Sequence, residues 1–194
     1  MKTRYEILPK RVSDRSGEYR KVFYLIGLVL TLFSSACESV TEEPARQQDY
    51  SNCRYEKPEA IFYDGLPQIS DHHFKIQGNG GSEESFVLSG MVAINILQYG
   101  CDFRTQEFIF DLGTTANCEQ AGDCTREVVQ IMQALSRLGP EYHVFREWAR
   151  AIKDISAQIR LGRATEVGDG FWVKVDQDRS FGHTTLKLTL SEKA

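Results

Sequence analysis

Nothing in the sequence is both long and apolar enough to sit comfortably across a bilayer. The most apolar run, residues 22–36, holds 15 residues, where about 20 are needed to cross about 30 Å of hydrocarbon as a helix. No C-x-x-C spacing or histidine pair accompanies the cysteines, so the usual frame of a zinc site is missing. Ser89 and Ser136 lack the G-x-S-x-G frame of an activated serine. The glycines of "GNGG", residues 78–81, precede no Gly-Lys-Ser/Thr and form no phosphate loop. Positive charge is in short supply as well. Lys and Arg number 23 against 27 Asp and Glu, a net charge of −4, and an acidic chain gains little from approaching nucleic acid or anionic headgroups. Nucleic acid is therefore not an expected partner. There is no internal repeat and no sign of a second domain.

What is present begins with a three-part N-terminus. Residues 1–21 are polar and basic, with seven positive and three negative side chains; residues 22–33, "VFYLIGLVLTLF", carry no charge; Ser34, Ser35 and Ala36 are small. A positive segment, an apolar segment of roughly 7–15 residues and a small-residue cut site are the parts of a secretory signal. Small residues followed directly by Cys37 resemble the lipobox of bacterial lipoproteins, although Ser34 stands where that family usually has leucine. The resemblance implies cleavage before Cys37, which would carry the lipid and become the new N-terminus. An uncleaved anchor and ordinary secretion are the alternatives. Residues 38–52, "ESVTEEPARQQDYSN", are too polar to offset their ordering entropy by burial and read as a flexible tether. The expected organisation is a signal peptide over 1–36, a lipid-anchored tether over 37–52 and one domain over 53–194. From Cys37 onward there are 16 basic and 24 acidic residues, a net charge of −8.

With Cys37 assigned to lipid, Cys53, Cys101, Cys118 and Cys124 remain. An even number in an exported chain reads as two disulfides with three possible connectivities. The spacing in "NCEQAGDC" lets Cys118 reach Cys124 through a short loop containing Gly122. Cys53 is then left for Cys101.

Periodicity supplies the fold class. Phe86, Leu88, Val92, Ile94 and Ile96 recur at every second residue, and Phe108, Phe110 and Leu112 do the same, so residues 85–98 and 102–112 read as a long hairpin. Gly90 interrupts the first strand and suggests a bulge or a close backbone approach. Val128, Ile131, Met132, Leu135 and Leu138 have helical spacing after Thr125, a candidate N-cap, and Gly139-Pro140 ends that helix. A second helix runs from about Glu141 to Leu161-Gly162, with Arg146, Glu147, Arg150, Lys153 and Asp154 as a solvated outer face. Phe171, Val173 and Val175, a turn in "DQDRSFG", and Leu186, Leu188 and Leu190 form a closing hairpin. These elements give an α+β expectation: an antiparallel sheet from two hairpins, two helices packed on one face, and disulfides stapling the whole.

The candidate chemistry is thin. "SDHHF" places Asp71, His72 and His73 together and resembles the Asp-His-His signature of a manganese-binding phosphoesterase family. Adjacent strand residues point to opposite faces, however, so His72 and His73 do not readily share a metal. Asp71, His72 and His183 are the weak metal candidates, no catalytic set is expected, and no cofactor is implied. His143 reads as a core or surface histidine, and Glu83-Glu84 as carboxylates in a polar loop. The loop 118–124 resembles the short cysteine-closed loop of periplasmic Ivy-type lysozyme inhibitors, which carry a histidine there; "EQAGD" has none. The sequence thus points to a lipid-anchored protein of a bacterial cell envelope, at the outer membrane, with a non-catalytic domain that binds an envelope protein or ligand. A metal-dependent hydrolase using Asp71 and His72, or an inhibitor presenting residues 118–124, stands beside that reading.

Overall fold

The computed structural model describes residues 50–192, apart from residues 79, 115–117 and 181. The expected signal, Cys37 and most of the tether lie outside those residues. Four strands come first: β1 (Ile69–Ile76), β2 (Ser82–Leu88), β3 (Val92–Tyr99) and β4 (Thr105–Asp111). Two helices follow, α1 (Ala121–Leu135) and α2 (His143–Asp154), the second entered through a 3-10 turn at Pro140–Tyr142. Three further strands complete the chain: β5 (Ala164–Gly168), β6 (Phe171–Ser180) and β7 (His183–Ser191). All seven strands form one antiparallel sheet in the order β1-β2-β3-β4-β7-β6-β5. The α+β class is as expected. The sheet is built from two meanders joined along β4 and β7, where Phe108 pairs with Leu188 and Phe110 with Leu186.

The alternation that defines each strand also defines the core. Phe86, Leu88, Ile94, Ile96, Phe108, Phe110, Val173, Val175, Leu186, Leu188 and Leu190 are all buried, because every second side chain turns to the same face. The apolar stripes of α1 (Val128, Ile131, Met132, Leu135) and α2 (Phe145, Ala149, Ile152) join them in one cluster. The opposite face carries cross-strand pairs such as Lys187 with Glu107 and stays half-exposed. Among the described residues no helix is long and apolar enough to cross a membrane.

Several boundaries differ from the sequence expectation, each for a local reason. The stretch 85–98 is two strands. Ser89 and Gly90 have φ of 52° and 66°, the positive pair that a tight hairpin turn requires, and Met91 N–H closes the turn on Leu88 O at 3.1 Å. Gly90 is therefore a turn glycine, not a bulge within one strand. "DQDRSFG" is mostly strand: β6 continues to Ser180, which pairs with His183. Strand β5 has no counterpart among the expected elements. It is tied to β6 through Asp169-Gly170, again a positive-φ pair. Helix α1 starts at Ala121, so Thr125 lies inside it, donating its hydroxyl to Ala121 O at 2.7 Å. Helix α2 stops at Asp154, yet Ile159 beyond it remains buried. Both disulfides are present, Cys53–Cys101 and Cys118–Cys124.

Candidate functional site

Strand β1 slips register between Ser70 and His73, with Asp71 at a φ of 54°. The bulge puts two residues opposite one and so resets the alternation. His72 turns inward beside Ile69 and Phe74, while Asp71 and His73 are exposed. Inside, His72 Nε2 lies 2.8 Å from Glu84 Oε1, and its Nδ1 lies 2.6 Å from Asp64 Oδ1. Glu84 is fully buried. Its other contacts are backbone: Ile61 N–H donates to Oε2 and Phe62 N–H to Oε1, both at 2.8 Å.

A neutral imidazole carries one N–H, so both carboxylates are served only by the imidazolium. Burial opposes that charge, but the hydrogen bonds to Glu84 and then Asp64 outweigh it, and His72 is held above its ordinary value of 6.5. Glu84 also seats the segment bearing Phe62, whose ring packs on Phe86, Tyr142 and Phe145 at centroid distances of 4.8, 4.9 and 5.5 Å. The cluster is a clamp on the N-terminal segment. The hollow beside it, lined by residues 60–64 and 72–74, contains no serine, threonine, cysteine or lysine. Asp64 and Glu84 hold opposite sides of the ring and do not converge. Among the described residues no group of three or more His, Cys, Asp and Glu side chains is placed to hold a metal ion.

The three weak candidates are not brought into one site. Asp71 lines a shallow hollow on the open sheet face with Asp111, whose Oδ1 is 3.7 Å from His183 Nδ1. His72 faces inward. His143 is exposed at the start of α2, with Nδ1 3.1 Å from Pro140 O. The expectation for Glu83-Glu84 needs correction, since both residues belong to β2: Glu83 meets Lys75 Nζ at 2.8 Å on the open face, and Glu84 is core. The signal was available, because Ser82, Glu84, Phe86 and Leu88 keep one alternation. In the loop 118–124, Glu119, Gln120 and Gly122 are exposed. Its second half is the first turn of α1, both cysteines are buried, and Cys118 O accepts from Gln177 Nε2 and Arg179 Nη2.

An apolar cavity sits elsewhere among the described residues, at the rim where α2 crosses the ends of β4, β7 and β6. An open volume of about 300 Å³ is lined by Ile61, Phe108, Val144, Phe145, Trp148, Phe171 and Leu190, with Arg104, Gln106, Ser191 and Glu192 also on its wall. Trp148 meets Phe171 edge to face, centroids 5.8 Å apart. Val144 and Phe171 keep 41% and 38% of their surface exposed, so the mouth is apolar and open. The polar end is braced. Arg104 stacks over the Tyr55 ring at 4.7 Å, and Glu192 accepts from the Tyr55 hydroxyl and from Arg104 N–H. That hydroxyl holds Glu192 below the ordinary carboxylate range, so it stays ionised. Tyr55 N–H donates to Cys101 O at 3.0 Å, beside the Cys53–Cys101 bridge. This volume is at the small end of ligand sites and suits one apolar group with a polar neighbour.

Fold and cavity together define a disulfide-stapled α+β domain with a rim groove. Compared with family models, curated proteins and solved structures, the chain finds no match in any of the three.

Proposed function

We propose that this protein is lipid-anchored through Cys37 to the outer membrane of a bacterial cell envelope, and that its domain binds an envelope partner instead of catalysing a reaction. The observation that carries the binding reading is the rim groove. An open apolar mouth of Val144, Trp148 and Phe171 leads to a polar end held in place by Tyr55 and the Cys53–Cys101 bridge. Aromatic anchors beside fixed polar groups are the usual composition of a recognition patch, and a braced site loses little entropy on binding. The occupant is an apolar side chain of the partner with an uncharged polar neighbour at the Arg104–Glu192 end. Two disulfides accord with an oxidising compartment.

The test for the anchor is the intact mass of membrane-purified protein. A chain starting at Cys37 with added lipid is expected; a mass from Met1 refutes it. For the groove, a photo-activatable residue at Val144 is expected to give one discrete cross-linked adduct in envelopes, lost in the Trp148→Ala chain. An adduct that survives Trp148→Ala, or appears equally from the exposed Met91 turn, removes the groove as the binding site.

A further inference from the structure

The seam between α1 and α2 opens outward as a cleft of about 420 Å³, lined by Gln133 from the end of α1, by Ser136 and Arg137 just beyond it, and by Arg146, Arg150 and Lys153 from α2. All four cations are exposed, and none forms an ion pair with a described acidic side chain. Helical geometry explains the segregation. At 3.6 residues per turn, positions 146, 150 and 153 fall within about 60° of arc, whereas Glu147 and Asp154 lie together on the neighbouring arc. Arg137 reaches the same cleft only because the chain folds back through Gly139 and Pro140. Like charges four apart on a helix repel, and although Glu147 and Asp154 stand three and four residues from Arg150, no ion pair among the described residues engages the four cations. The patch is a local reversal in a domain that is otherwise acidic.

We infer that this cleft is a binding site for a phosphate-bearing anion. Guanidinium groups present paired N–H donors that match phosphate oxygens. Three of them, two from α2 and one from the turn after α1, exceed what a lone carboxylate can satisfy, while a phosphate group offers more oxygens and more charge. The Gln133 amide at the cleft adds an uncharged donor. The phosphate belongs either to a membrane headgroup or to a soluble ester, and both place the same group in the cleft.

The probe is inorganic pyrophosphate, titrated calorimetrically into the full-length chain in neutral detergent. Saturable binding that weakens with added salt is expected. Arg146→Gln with Arg150→Gln is expected to weaken it about tenfold or more, while the charge-matched pair Lys57→Gln with Arg163→Gln leaves it unchanged. Because both arginines are exposed and form no ion pair with a described acidic side chain, the melting temperature of the first pair is expected to change little. Absence of saturable binding, or equal weakening by the two pairs, overturns the site. Vesicles separate the sources: a preference for phosphatidylglycerol over phosphatidylcholine that the first pair abolishes assigns a headgroup, and pyrophosphate binding without that preference assigns a soluble phosphate.

Discussion

Replacing Glu84 with glutamine removes one charge from the interior while keeping the side chain's size. The carboxylate accepts from Ile61 N–H, Phe62 N–H and His72 Nε2, each at 2.8 Å, from a position with no solvent exposure. Glutamine has one acceptor oxygen, so its amide group must face a backbone N–H and leave that donor without a partner. A buried donor left unmade costs about 1–3 kcal/mol, and the bond to a charged histidine weakens as well. The expected loss is about 3 kcal/mol, or about 10 °C in melting temperature for a domain of this size. Asp64 is different. It is 89% exposed, so Asp64→Asn is expected to change stability by less than about 1 kcal/mol.

The same cluster sets a pH dependence. His72 is held above 6.5 in the folded chain, so its stabilisation is complete below the unfolded value, about 6.5, and is lost as pH rises through the higher folded one. Urea unfolding at about pH 6 and pH 8.5 should show the wild-type chain weaker at the higher pH, with the difference flattened in His72→Gln. A Glu84→Gln chain within about 0.5 kcal/mol of wild type, or a wild-type chain whose stability does not fall with pH, refutes the clamp.

Other consequences are more direct. Removing the short bridge by Cys118→Ser with Cys124→Ser is expected to cost about 2 kcal/mol in the chain-entropy model, and removing the longer Cys53–Cys101 bridge about 4 kcal/mol; urea unfolding measures both, and the reverse order refutes that account. Phe110→Ala removes a fully buried ring at the join of the two meanders. It is expected to cost about 3–5 kcal/mol, readable as a lower denaturation midpoint, and a loss below 1 kcal/mol is inconsistent with a packed join.

Much of the fold is legible where burial and periodicity coincide. Residues such as Ile94, Ile96, Phe108 and Phe110 announce strands because their alternation coincides with one buried face, and Val128 to Leu135 announce a helix in the same way. Legibility fails where pattern and environment separate. The polar end of β6 reads as a turn, yet it is strand because β7 pairs with it through Ser180 and His183. Asp169-Gly170 is a hairpin signal in the sequence, but β5 beside it is short and largely exposed, so no apolar alternation marks it. Glu84 reads as solvated because carboxylates usually are; only the partners that reach it from residues 61, 62 and 72 make its burial tolerable.

The sequence by itself pointed to the α+β class, to a local pairing of Cys118 with Cys124 and to the apolar faces of both helices, since each depends on spacing along the chain, but it left the connectivity of the cysteines open; the structure joins Cys53 to Cys101 at a separation of 48 residues. The tertiary structure decided the sites. Glu84, His72 and Asp64 come from different segments, the rim groove draws on both halves of the chain, and Arg137 joins Arg146, Arg150 and Lys153 only when one helix folds against the other. Local spacing sets which way a side chain faces, whereas its neighbours across a sheet or between helices are set by packing, and those neighbours determine charge and burial.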